Sequence, residues 1–287
     1  MAIKKGESAE ALSPSRNLIL PLDHHRQKRQ ERIDQGLQWK NKVSAVEKQE
    51  ELLIKIVRCL SKKRLESYFK NSSEEISVAL SRYLWNIALS ESLYPSLNVL
   101  EIALRNELFT KLSQQFGKEW LFYEESAFFR KDEQRKITQA KSLFKTSKQK
   151  IEPERLVPEL NFGFWTGLFN GYYEMHIWRI MFSSRANQRI FPFLPRRIRT
   201  RNALSKKINH IRKLRNRIFH HEPIWHKEDL AQTHLDILET VYWISPELCS
   251  FLHQIDKFPN IFKSGQRDCM NQVELVLRTA QAKNSGF

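Results

Sequence analysis

The 287-residue sequence predicts an all-α chain on three observations: glycine is scarce, with eight in total; apolar residues recur at helical spacing from Glu51 onward; and cap residues stand where those runs begin. Apolar residues make up 41% of the chain and aromatics 11%, enough for a substantial core.

Residues 1–45 alternate Lys, Arg, Glu, Gln and Ser with few large apolar groups, and read as a basic N-terminal arm, flexible or loosely helical. A helical domain is expected over 46–263. Leu52, Leu53, Ile56 and Leu60 open it. Ser72, Ser73, Glu74 and Glu75 read as the cap and first turn of a helix containing Ile76, Leu80, Tyr83, Leu84 and Ile87. Pro95 is expected to interrupt or kink that pattern, Ser96 to open a second apolar run, and Gly117 to close it. Pro153 and Pro158 mark a connection before ELNFGFWTGLFNGYYEMHIWRIMF, and FPFLP at 191–195 marks the next boundary. Ala203 to His221 and Leu230 to Ile244 read as helices. Ser245-Pro246-Glu247 supplies a cap followed by proline for a helix through Leu252. Residues 264–287 read as a frayed tail.

Cys59, Cys249 and Cys269 are odd in number and far apart, which suits neither a disulfide framework nor a zinc cluster. No run is long and apolar enough for a signal or membrane segment; NLILPL at 17–22 is too short. The expectation is a cytoplasmic protein with no membrane contact, cofactor or metal.

Net charge is +16, and its distribution says more than its size. Residues 151–215 carry 13 Lys and Arg against 4 Asp and Glu, whereas 216–287 carry 7 against 9. No acidic residue occurs between Glu174 and Glu222. That interval holds Arg196, Arg197, Arg199, Arg201, Lys206, Lys207, Arg212, Lys213 and Arg217, which are the expected RNA-binding residues. Such a run attracts a polyanion, because each neutralised phosphate releases condensed counterions. A solvated basic surface is the simpler alternative. Trp165, Tyr172, Tyr173 and Trp178 stand beside the run and could stack on bases, although aromatics at helical spacing are more often core.

The segment RKLRNRIFHHEPIW (212–225) carries the candidate chemistry. On a helix, Ile208, Ile211, Leu214, Ile218 and Phe219 share a broad apolar face that also holds Arg215. Arg212, Asn216 and His220 form a polar stripe beside it. Pro223 disfavours helix at Glu222, so His220 and His221 are placed in the last turn, where the helix dipole favours a cation. An arginine facing a core needs a carboxylate. Glu101 is the expected partner, orienting either Arg215 or Arg105. Arg215, Asn216, His220 and His221 are together the groups that metal-independent RNA cleavage requires: a base, an acid and a cation for the charged phosphorus. A helix end capped by histidines explains the same residues as packing alone. A metal site from His220, His221, Glu222 and His226 matches no standard ligand spacing. His176, His210, His234 and His253 show no partnered pattern.

Longer stretches narrow the choice. LSKKRLESYF (60–69), YLWNIALSESLYPSLNVLEIALRNEL (83–108), LNFGFWTGLF (160–169), FPFLPRRIRTR (191–201) and INHIRKLRNRIFHHEPIW (208–225), followed by VYWISPEL (241–248), resemble the Abi-like (abortive infection) family of bacterial proteins. That family belongs to the HEPN superfamily of helical domains with an R-x4–6-H pattern. The resemblance implies a HEPN-type helical bundle and assigns the motif to Arg215, Asn216 and His220, with His221 also fitting the looser spacing. It implies an endoribonuclease acting in phage defence or as a toxin, giving 2′,3′-cyclic phosphate and 5′-hydroxyl ends, with a homodimer needed to pair two motifs. Some relatives associate with a small non-coding RNA, so the alternative is a protein that holds a structured RNA and cuts little or nothing. The arm has no counterpart in the family.

Overall fold

The computed structural model describes residues 21–123, 128–144, 151–185 and 188–282, and no strand occurs among them. The chain divides into two compact units, Met1–Ile56 with Leu277–Phe287, and Val57–Val276.

Helix α1 (Pro21–Leu60) carries the described part of the first unit as far as Ile56, so the expected boundary at 45 falls inside a helix. Polar pairs one turn apart support its exposed surface: Gln30 donates to Asp34, and Lys55 pairs with Glu51.

The second unit is built around α3 (Ile76–Phe116), with α2 (Lys62–Glu66) before it. Leu89, Leu93, Leu97, Leu100, Leu104, Leu108 and Leu112 form one buried stripe along α3. After it come α4 (Lys131–Ser142), α5 (Pro153–Leu156), α6 (Phe162–Gly167) and α7 (Arg179–Ser183). Helices α8 (Arg201–Phe219), α9 (Leu230–Ile244), α10 (Pro246–His253), α11 (Phe258–Ser264) and α12 (Arg267–Ala282) follow. The α3 helix packs on α6, α9, α10 and α11, and α8 on α6 and α9.

Of the two outcomes expected at Pro95, interruption does not occur; α3 runs through it. An interior proline costs about 3 kcal/mol, whereas burying one leucine returns roughly 1.5–3 kcal/mol. Leucines of the stripe on both sides of Pro95 therefore outweigh the lost hydrogen bond. The tail is also a helix over Arg267–Ala282, with Cys269 and Val273 buried.

The start of α3 differs in detail as well. Glu75 is the N-cap, and Glu74 turns to Arg82, accepting two hydrogen bonds at 2.6 and 2.7 Å and a third from Lys70 N. Those bonds, Arg82 first, hold the Glu74 carboxyl down at about 2. A depressed carboxyl contributes stability above its unfolded value that is lost as pH falls through the folded value. Unfolding by urea is therefore expected to show a stability loss between about pH 4.5 and 2, and Glu74→Gln is expected to flatten that part of the profile.

A second polar group lies deeper. Glu133 on α4 is fully buried, accepts two hydrogen bonds from Arg130 at 2.9 and 2.8 Å, and accepts a third from Tyr173 Oη at 3.0 Å. Gly167 at the end of α6 leaves room for this carboxylate; a Cβ there would lie 2.5 Å from Glu133 Oε1. Trp165, Tyr173 and Trp178 are fully buried core residues, and Tyr172 alone of those four aromatics is exposed.

Candidate functional site

Helix α8 begins where Thr200 Oγ1 accepts a hydrogen bond from Ala203 N, and it buries Leu204, Ile208, Ile211, Leu214 and Ile218 at three- and four-residue intervals. That stripe fixes the rotation of the helix. Phe219, expected in the same face, is 39% exposed because the helix ends there.

The helix ends at Phe219, with His220 as its C-cap. His221 follows with φ of 56°, a left-handed conformation. His221 N donates to Ile218 O at 3.0 Å, and Glu222 N donates to Arg217 O at 2.8 Å. This is the Schellman arrangement, with histidine where glycine is usual. A side chain in this backbone region carries a penalty of roughly 1–2 kcal/mol, largest for β-branched residues. His221→Val is accordingly expected to lower unfolding free energy by about that amount, while His221→Gly leaves it equal or higher; denaturant midpoints measure both. Both histidines are exposed.

Arg215, on the preceding turn, is held from two sides. Its Nε donates to Glu101 Oε2 at 3.2 Å, and its guanidinium carbon lies 3.9 Å from the centroid of the Phe219 ring. The two charged side chains are 23% and 22% exposed, so the pair is partly shielded. Phe219 in turn stacks on Tyr94, with centroids 5.8 Å apart. Arg105 turns instead to Asn106, donating to its Oδ1 at 3.4 Å.

The loop after the histidines is pinned to α2 and α3. Arg64 Nη1 donates to His221 O at 2.8 Å, and Arg217 Nη2 donates to Pro223 O at 2.8 Å. The buried Asn86 Oδ1 accepts from Ile224 N at 2.6 Å and Trp225 N at 3.2 Å. Arg82 lies 5.2 Å from the centre of the Trp225 ring, which stacks on Tyr68. Three stretches far apart in sequence, 64–68, 82–86 and 220–225, thus meet at one place. Beside them opens a cleft of about 1360 Å³, lined by Arg64, Tyr94, Phe219, His221, Ile255 and Lys257 among others.

The cations of the acid-free run fall into two groups. Arg201 bonds Glu174 and Phe169 O; Lys207 bonds Asp236 and Glu239; Arg212 bonds Asn209; and Arg217 lies 3.6 Å from Glu222. Burial opposes the Lys207 charge, but the bonds to Asp236 and Glu239 prevail and its pKa is raised. Arg196, Arg197, Lys206 and Lys213 are exposed.

Two histidines without an evident partner in sequence have one in space. His210 Nε2 lies 2.8 Å from Thr233 Oγ1 and 3.1 Å from Asp229, and buried His234 lies 2.9 Å from Asp256. Burial lowers the His234 pKa although Asp256 pulls it upward. Among the described residues no three His, Cys, Asp or Glu side chains are placed to hold a metal ion, and no helix is long and apolar enough to cross a membrane.

No curated protein and no solved structure matches the chain. A family model described as Abi-like protein matches residues 53–226, well over half of the sequence and the part that builds Arg215, its carboxylate and the histidine loop. The chain belongs to the Abi-like protein family.

Proposed function

We propose that the protein is an abortive-infection endoribonuclease of the HEPN type, cutting RNA without a metal ion. Membership of the Abi-like family points to phage defence by abortive infection. The observation that carries the catalytic reading is the setting of Arg215, clasped between Glu101 and the Phe219 ring one turn before two exposed histidines, with Phe219 and His221 lining a cleft.

In this reaction one imidazole, from His220 or His221, takes the proton of a ribose 2′-hydroxyl. The 2′-oxygen bonds to the adjacent phosphorus, and the bond from phosphorus to the 5′-oxygen breaks. A second imidazole protonates the leaving oxygen, and Arg215 stabilises the charge gathered on the phosphoryl oxygens. The products are a 2′,3′-cyclic phosphate and a 5′-hydroxyl; DNA lacks the nucleophile. Asn216 holds a histidine or a phosphate oxygen in place. One motif per chain makes a homodimer the assembly that would supply both imidazoles from facing copies.

The test is cleavage of labelled RNA in EDTA by wild type, Arg215→Ala and His220→Ala. Fragments with 5′-hydroxyl ends from wild type, lost in both variants while RNA binding persists, are the expected outcome. Binding without cleavage under every condition would replace this reading with that of a scaffold for a small non-coding RNA.

A further inference from the structure

We propose that the loop from Arg189 to Arg199, with Tyr242 of α9, is a second contact for an unpaired polynucleotide strand. In it Arg189, Arg196 and Arg199 grip phosphate while Phe193 and Tyr242 stack on a base. The proposal takes RNA as the ligand from the function proposed above, but it concerns residues that share nothing with the lining of the cleft beside His221.

Four observations carry it. First, Arg189 and Arg199 border one small void together with Trp178, Phe182 and Leu194. Second, the Nε of each is buried with no acceptor, although Arg199 Nη2 donates to Leu194 O at 2.8 Å. Both side chains are otherwise only partly buried, and guanidinium forks match phosphate oxygens in geometry and charge. Third, among the described residues no carboxylate pairs with Arg189, Arg196, Arg197 or Arg199, unlike Arg201, Lys207 and Arg217 in the same run. Burial works against the Arg199 charge, and the neighbouring Arg189 and Arg196 add to that, so the three cations share one electrostatic neighbourhood.

The fourth observation selects the ligand. Phe193 is 49% and Tyr242 47% exposed, with ring centroids 6.2 Å apart. Phe193 N donates to Trp243 O at 3.2 Å, which ties the arginine loop to α9. Exposed rings tied to a loop of guanidinium groups without carboxylate partners suit a strand whose bases are free to stack, and a duplex keeps its bases stacked inside.

The experiment uses the full chain and a 12-nucleotide 2′-O-methyl oligouridylate, which cannot be cut by 2′-hydroxyl attack, with binding followed by fluorescence anisotropy across a salt series. The double variant Arg189→Gln/Arg199→Gln is expected to weaken binding and to reduce the magnitude of the slope of log K against log salt by about 1.4, two contacts at about 0.7 each. Phe193→Ala is expected to weaken binding roughly fivefold or more. Arg196→Gln, at an exposed position, reads the phosphate contact independently if the double variant does not fold. Unchanged affinity and slope in Arg196→Gln and Phe193→Ala would overturn the proposal. So would equal losses for a duplex of the same length, or losses confined to anionic vesicles. Weakened binding in a protein that never cuts RNA would leave this contact standing and remove only the ribonuclease reading.

Discussion

On the proposed ribonuclease reading, Arg215→Ala is expected to lower RNA cleavage by roughly 100- to 1000-fold, the usual effect of removing one group that stabilises charge developing in the transition state. The drop should appear in kcat, because in the proposed reaction the guanidinium would act on charge that the bound substrate has not yet gathered. Arg215→Lys retains the positive charge but loses the Nε that bonds Glu101 and the guanidinium that lies over the Phe219 ring, so it should recover only part of the rate. Glu101→Gln should cost less than either, since an amide oxygen can still accept from Nε. If Glu101 acts by holding Arg215, its effect should vanish in the Arg215→Ala background. Single-turnover rates of the four proteins measure this coupling, and independent, additive losses would count against it.

Glu133→Ala is expected to destabilise the second unit by about 1–3 kcal/mol, the penalty for leaving a buried donor without its acceptor, since Arg130 is partly exposed. Arg130 and the Tyr173 hydroxyl would each lose the acceptor that now receives them. An arginine stays charged at any ordinary pH and burial keeps the Tyr173 hydroxyl protonated, so both remain donors with no acceptor. Gly167→Ala should also destabilise, by about 1–3 kcal/mol, since its methyl would press on the same carboxylate. In the Glu133→Ala background that methyl has space, and most of its penalty should disappear. Urea unfolding of the four proteins gives the comparison.

The fold was legible where one physical effect dominated. The buried stripe of α8 follows from the spacing of Ile208, Ile211, Leu214 and Ile218, and the leucine stripe of α3 is equally plain. The expected interruption at Pro95 fails because the tertiary burial of leucines on both sides overrules the local backbone preference against helix there. Glu133 could not be anticipated, because its partners Arg130 and Tyr173 come from a flanking turn and a segment 40 residues later. Within the candidate site, spacing alone brings Arg215 to within a turn or so of the histidines. The left-handed turn at His221 and the anchoring of its loop by Asn86 are set by contacts across the fold. A signal did exist: Arg82 and Asn86 continue the α3 leucine stripe toward its start, and polar groups in a core stripe call for buried partners.

Pro95 has one more effect on the groove it borders. A proline nitrogen carries no hydrogen, so the carbonyl oxygen of Glu91 lacks the donor that an α-helix would otherwise bring to it. Glu91 and Pro95 both line the opening that His221 shares. The rod that scaffolds the histidine turn therefore meets that wall with a gap in its regular ladder of main-chain hydrogen bonds, at the carbonyl four residues before the proline.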